Sequence, residues 1–321
     1  MPADLAPISG IHHITAMAGD PQRNINFYSY VLGQRLVKTT VNFDDPGTYH
    51  FYYGDAIGSP GTILTFFPWP NARRGQRGAG EANAIAYAVP ADALGYWEKR
   101  LAEFGVSTAP RQVRFGETVL PFQDPDGLWL ELVTGDGLPE IDHWTEGPIP
   151  ADAALRGFHS ATLQVAQAAA SARLLTEWFG WERAGVEGSR ARFLAPGGAA
   201  GRIVDLVEIP QQGRGRLGAG SIHHIAFRVA DDPTQLAWRA RLSEAGFSVT
   251  DVRDRQYFHS IYFREPSGVL YELATDAPGF LLDESRAALG RELKLPPWLE
   301  ARRADIQQQL LAIIRPGEVQ A

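Results

Sequence analysis

The stretch SIHHIAFRV (residues 221–229) repeats the pattern of GIHHITAMA (10–18), and EPSGVLYELATD (265–276) repeats that of DPDGLWLELVTGD (124–136). GFHSATLQV (157–165) and NAIAYAV (83–89) are weaker relatives of the first pair. Recurrence of this kind marks a duplicated structural unit. Each first segment is followed by a helical stretch: NINFYSYVLGQRL from Asn24, ALGYWEKRLAEFGV from Ala93, ASARLLTEWFGWER from Ala170 and QLAWRARLSEAGFSV from Gln235. Leu and aromatic residues recur there at three- and four-residue spacing, and a Gly closes each one. Short alternating or apolar runs follow and read as strands. The unit is strand, helix, strand, strand, strand, and it occurs four times. The fold class expected is α+β, with two domains of paired units.

Aligning the first strands places His13, Ala84, Ser160 and His224 at one equivalent position. Aligning the last strands places Thr65, Glu131, Asp205 and Glu272 at another. The intervals 13 to 65, 84 to 131, 160 to 205 and 224 to 272 all lie between 45 and 52 residues, which supports the alignment. A Pro- and Gly-bearing stretch divides the chain. The expected domains are residues 1–135 (units one and two) and 157–276 (units three and four), with a linker at 136–156. A tail covers 277–321. There LPPWLE (295–300) should start a final helix with Leu299, Ile306, Leu310 and Ile313 on one side.

The chain has 321 residues, 45 % hydrophobic and 21 % charged, which suits globular domains with their own cores. A net charge of −7 argues against a phosphate-backbone partner, so nucleic acid is not expected. No run of 18 apolar residues predicts a membrane span, and residues 1–10 do not read as a signal peptide. With no cysteine, disulfides, thiolate metal sites and a Cys nucleophile are excluded, and any metal falls to His, Asp or Glu. A cytoplasmic location agrees with this composition. The sequence leaves open whether the chain forms a homo-oligomer.

Neighbouring residues on a strand face opposite ways. His223, Ile225, Phe227 and Val229 make one apolar column; His224, Ala226 and Arg228 make the other. By the same rule His13, Thr15 and Met17 share a column, and His12 falls with Ile14, Ala16 and Ala18. His13 and His224 are therefore assigned to a cavity, while His12, His159 and His223 are assigned to the helix-facing column. Glu272 lies in VLYELAT, where a carboxylate is costly unless paired or metal-bound. Two His and one carboxylate with open positions form the facial triad of non-haem iron(II) oxygenases. Manganese accepts the same ligands. Units one and four should be adjacent so that these ligands meet. The matching set Ala84, Ser160, Glu131 and Asp205 has lost both His and reads as structural.

The motifs GIHHIT, VLGQRLVKTTVNFDDPGTYHFYYGD, PGTILTFFP, GFHSATL, SIHHIAF and YELATD together resemble the vicinal oxygen chelate superfamily. Within it the chain is similar to the hydroquinone-type ring-cleaving (extradiol) dioxygenases and to the ring-cleaving dioxygenases of bacterial quinone-resistance systems. LPPWLE is closer to the latter. The resemblance covers nearly the whole chain. It implies Fe(2+) held by His13, His224 and Glu272, with O2 and a small hydroquinone or catechol-type aromatic as partners. It also implies roles for His12, Thr15, His223, Arg255 and Tyr262. Tyr262 would hydrogen-bond the substrate oxygen, Arg255 would steady anionic character, and His12 or His223 could shuttle protons. Without the resemblance Arg255 reads as a solvated Arg and Tyr262 as a packed strand Tyr. His259, on the same strand, is a further candidate. Two rivals remain: a glyoxalase-type isomerase, which normally needs a fourth protein ligand where Thr65 stands, and a metal-free protein that sequesters an aromatic compound.

Overall fold

A computed structural model describes residues 5–135 and 138–317. Residues 1–4 and the expected boundary at residue 136 lie outside the described residues. The four units are present in order. Unit one comprises β1 (Ile11–Ala18), α1 (Pro21–Ile25, continued by a wider π turn), β2 (Arg35–Asn42), β3 (Asp45–Gly54) and β4 (Ile63–Pro68). Unit two comprises β5 (Glu81–Val89), α2 (Leu94–Glu103), β6 (Gln112–Arg114), β7 (Glu117–Gln123) and β8 (Trp129–Thr134). Unit three comprises β9 (Phe158–Val165), α3 (Ala168–Arg173, also with a π turn), β10 (Glu182–Glu187), β11 (Arg190–Leu194) and β12 (Ile203–Glu208). Unit four comprises β13 (Ile222–Val229), α4 (Asp232–Glu244), β14 (Arg253–Asp254), β15 (Phe258–Arg264) and β16 (Leu270–Pro278).

Local chemistry sets the helix limits. The Asp20 and Asp231 side chains accept the Arg23 and Thr234 backbone N–H groups at 2.7 and 2.9 Å, with Pro in the first turn of each helix. Gly33, Gly105, Gly180 and Gly246 then turn the chain out at φ between 67 and 88°, where a Cβ is strained. The helices pack by periodic faces: α2 buries Leu94, Trp97 and Leu101, and α4 buries Gln235, Trp238 and Leu242.

The strands form two eight-stranded sheets that do not follow the sequence halves. One has the order β14-β15-β16-β13-β1-β4-β3-β2 and joins unit four to unit one; the other, β10-β11-β12-β9-β5-β8-β7-β6, joins units three and two. The exchange is made by two connecting segments that run against each other, with bridges Arg74↔Ala219, Gln76↔Arg216 and Ala79↔Arg214. Only glycine fits the crossing. A Cβ on Gly78 would lie 2.3 Å from the Gly213 carbonyl oxygen, and one on Gly218 the same distance from that of Arg73.

The tail departs from its expected shape. It is two short helices, α5 (Pro297–Glu300) and α6 (Arg303–Gln309), broken at Arg302, whose φ of −105° and ψ of 9° leave the helical region. Leu299 and Ile306 are buried, whereas Leu310, with an extended backbone, and Ile313 lie beyond the end of α6. Before these helices, residues 279–293 strap across the first sheet. The fully buried Lys38 pairs there with Asp283 at 2.5 Å and with Glu284. Among the described residues no helix is long and apolar enough to cross a membrane.

In the second sheet the carboxylates at the repeat position are held by guanidinium groups. Arg114 grips both oxygens of Glu131 at 2.6 and 2.9 Å. Asp205, 1 % exposed, takes Arg192 at 2.9 and 3.1 Å and Arg190 at 3.0 Å. Removing one charge from such a cluster strands the others, so Asp205→Asn should destabilise the fold by about 3 kcal/mol in urea unfolding. Metal content of the purified variant should stay at the wild-type level; its loss would place the metal in this sheet.

Candidate metal centre

The central seam of the first sheet is the antiparallel pairing of β1 with β13. It matches His13 with Ala226 and Thr15 with His224, and the register slips by one residue on each side of these pairs. The extra residues are His12 and His223, so each HH pair sits on a β-bulge. A bulge re-aims side chains, and strict alternation fails there. The placement of His12 and His223 in a helix-facing column is therefore corrected: His12 Nδ1 lies 2.9 Å from His13 Nδ1, and His223 Nδ1 lies 2.8 Å from His224 Nδ1. The second sheet carries the same irregularity, its register slipping at Asn83 and His159. His159 is likewise not core. Its Nε2 meets Glu117 at 2.9 Å and its Nδ1 meets Ser160 Oγ at 3.1 Å.

The register builds two transverse rows of side chains. One runs Tyr262, Glu272, Ala226, His13 across β15, β16, β13 and β1. The other runs Tyr52, Thr65, Thr15, His224 across β3, β4, β1 and β13. They are related position by position, so Thr65 stands in unit one where Glu272 stands in unit four.

His13, His224 and Glu272 converge. Each offers a ligand atom, and these atoms lie within 4.8 Å of one another. Glu272 Oε2 is 2.9 Å from His224 Nε2 and 3.4 Å from His13 Nε2, yet this buried oxygen accepts no hydrogen bond. Close approach without hydrogen-bond geometry is what lone pairs aimed at a common point produce. The other imidazole nitrogens are engaged with the neighbouring His rings, which orients each ligand, as outer-shell partners do in metal sites. The other carboxylate oxygen, Oε1, accepts from Ser260 Oγ. Burial would raise the Glu272 carboxyl, but the His13 and His224 rings outweigh it and hold it well below the usual range. Burial lowers His224, keeping its nitrogen available as a ligand at neutral pH. These residues fit a divalent cation.

A cavity of about 330 Å³ opens over this cluster. Phe67, Phe258 and Tyr52 supply apolar walls; Thr15, His50, His223, Arg255 and Tyr262 supply polar ones. Arg255 Nε donates to the Tyr262 hydroxyl at 3.1 Å, and Nη1 reaches Asp44 at 3.0 Å. Burial, reinforced by Glu272, pushes the Tyr262 phenol up, so it remains a donor. Burial and the neighbouring His224 hold His223 down to about 3. Burial, then His13, lowers His12 as well. All five residues proposed around the triad thus lie at or beside it. His259 does not: its Nδ1 pairs with Asp232 on the outer surface at 2.7 Å. Sequence reasoning missed His50, Tyr52, Ser260 and Phe258. The repeat contains the signal for three of them, since His50 and Tyr52 precede Thr65 as Ser260 and Tyr262 precede Glu272.

Ser260→Ala should reduce metal affinity roughly 10-fold by freeing the Glu272 carboxylate, measured by competition with a chromophoric chelator. His13→Ala, His224→Ala and Glu272→Ala should each leave the purified chain without stoichiometric metal, while a folded His159→Ala retains it. Full metal in any of the three triad variants would refute the cluster as the ligand set.

Comparison with known proteins agrees with this architecture. The model of the Glyoxalase/Bleomycin resistance protein/Dioxygenase superfamily matches residues 10–132 and 157–273. The chain is 49 % identical over 302 residues to the Bacillus subtilis protein named "Putative ring-cleaving dioxygenase MhqO", covering 94 % of this chain and 96 % of that one. It is 35 % identical over 305 residues to the chlorohydroquinone/hydroquinone 1,2-dioxygenase of Sphingobium indicum, covering 93 % and 95 %. A crystal structure of a "putative dioxygenase" from Bacillus subtilis superposes with a TM-score of 0.92 at 48 % identity, covering 96 % of this chain and 98 % of that one. Glyoxalase I from Zea mays shares the fold at a TM-score of 0.63 and 15 % identity, covering 83 % and 92 %. With the four repeated units, the exchanged sheets and matches along both halves, this chain belongs to the Glyoxalase/Bleomycin resistance protein/Dioxygenase superfamily.

Proposed function

We propose that this chain is an iron(II)-dependent ring-cleaving dioxygenase of the extradiol type that inserts both atoms of O2 into a hydroquinone-type ring. The observation that carries the reading is the orphaned Glu272 Oε2 between two imidazole Nε2 atoms, at the base of an aromatic-walled cavity. The name of the Bacillus relative supports ring cleavage, and that of the Sphingobium relative supports a hydroquinone as the substrate class. His13, His224 and Glu272 would hold the metal, which supplies, when bound, Lewis acidity toward a phenolate and redox access to O2. The remaining roles belong to the chain. Phe67, Phe258 and Tyr52 give a ring flat apolar surfaces and keep water out. Tyr262, kept protonated by burial and polarised by the hydrogen bond from Arg255, donates to a substrate oxygen. Burial opposes the Arg255 charge, but Tyr262 and Asp44 hold it, so it offsets negative charge developing on the ring oxygens. His223, neutral, lines the cavity as a partner for a substrate hydroxyl.

The glyoxalase reading requires a fourth protein ligand. Thr65 is a poor one, and its hydroxyl is engaged by Thr15 at 2.8 Å and His50 at 2.9 Å. The test is oxygen uptake by anaerobically purified, iron-loaded protein given hydroquinone. One O2 should be consumed per ring opened, and manganese-loaded protein compared alongside identifies the working metal. Tyr262→Phe should lower kcat/KM roughly 100-fold with metal content unchanged. Product from a methylglyoxal–thiol adduct without oxygen, and none from hydroquinone, would contradict the proposal.

A further inference from the structure

His50 occupies, in unit one, the position that Ser260 occupies in unit four. Ser260 lies two residues before Tyr262 and hydrogen-bonds Glu272; His50 lies two residues before Tyr52 and hydrogen-bonds Thr65. The partners differ in chemistry. A carboxylate only accepts, whereas a threonine hydroxyl accepts and donates. Four side chains continue from there: Tyr52 OH to His50 Nδ1 at 2.9 Å, His50 Nε2 to Thr65 Oγ1 at 2.9 Å, and Thr65 Oγ1 to Thr15 Oγ1 at 2.8 Å.

The polarity of this chain is fixed from both ends. Thr65 donates its single proton to Thr15, so it must accept from His50, which places the imidazole proton on Nε2. Nδ1 is then bare and accepts from Tyr52. The far end agrees. The Tyr52 phenol is buried, His50 is its hydrogen-bond partner, and a buried hydroxyl with one partner donates to it. Thr15 has accepted, and its own proton finds no acceptor among the described residues. Thr15 lines the cavity beside His224, its cross-strand partner.

We propose that Tyr52, His50 and Thr65 form a one-way hydrogen-bond chain that aims the Thr15 hydroxyl proton into the cavity, making His50 a positioning residue for a ligand oxygen that accepts a hydrogen bond. The inference rests on the function proposed above for its ligand class, an oxygenated aromatic ring. The ring packing of His50 on Tyr52 and Phe67, with centroids 4.1 and 4.3 Å apart, holds the imidazole in the plane the chain needs. Thr65, at the repeat position of Glu272, thereby acts through Thr15, the donor aimed at a ligand in the cavity, whereas Glu272 is itself an acceptor aimed at the cation site.

The test uses iron-loaded full-length protein and hydroquinone, titrated anaerobically by calorimetry, with iron per chain and circular dichroism measured on each variant. Thr65→Val keeps the shape and removes the hydroxyl; it should bind hydroquinone roughly 10-fold more weakly with iron unchanged. Thr65→Ser restores the chain and should lie within about 2-fold of wild type. His50→Phe breaks the chain at a second point and should match Thr65→Val, which keeps the question open to refutation if one variant does not fold. Wild-type affinity in Thr65→Val or His50→Phe overturns the relay. Equal weakness in Thr65→Ser and Thr65→Val does so too, because packing would then be the cause. Iron-loaded wild type that binds no hydroquinone overturns the functional reading, and this inference with it.

Discussion

The register of β1 against β13 places every side chain at the centre. With His13 opposite Ala226 and Thr15 opposite His224, two imidazoles from units far apart in sequence come to adjacent strands. The parallel partners of those strands, β16 and β4, then bring up Glu272 and Thr65. The two bulges complete the arrangement, because they allow His12 and His223 to turn alongside the ligands and fix their rings through Nδ1. A regular ladder would leave His13 and His224 without those partners. The seam itself depends on the connecting segments crossing at Gly78 and Gly218, which deliver unit four beside unit one.

The two sheets solve one electrostatic problem in two ways. A carboxylate at the repeat position is buried in both, and burial of an unpaired charge is strongly unfavourable. In the second sheet, Arg114, Arg190 and Arg192 supply permanent counter-charge and fill the space with side chain. In the first, Glu272 faces two neutral-capable imidazoles and keeps an oxygen without a hydrogen bond. The two imidazoles stabilise the carboxylate charge, and a cation would take up the oxygen that is left without a hydrogen bond. The tail contributes from behind. Phe280 packs on Tyr52 and Tyr257, with centroids 5.0 Å apart in each case, and the Lys38 ion cluster anchors the strap that carries it.

Much of this was legible in the residues. The repeat spacing located the four units, their glycine exits and the equivalence of Thr65 with Glu272, since these follow from period and composition alone. The adjacency of units one and four was legible too, because a triad shared between them requires it. The bulges were not. Alternation assumes an unbroken ladder, and HH at a slip of register reads the same as HH in a regular strand; His159 was misplaced for that reason. Lys38 was invisible because RLVKTTVN reads as a strand with one solvent-facing charge until the tail covers it. His50 was hidden in the aromatic run YHFYYG, where a lone His carries no signal until Thr65 is placed beside it.

One cation site is expected, in the first sheet, because arginine side chains fill the equivalent place in the second. Anaerobic titration of the metal-free protein with ferrous iron, followed by calorimetry, measures this directly. Saturation is expected at one iron per chain. Saturation at two would mean that the arginine-filled cluster of the second sheet also binds metal, and no binding at all would remove the cation that the Glu272 carboxylate is arranged to receive.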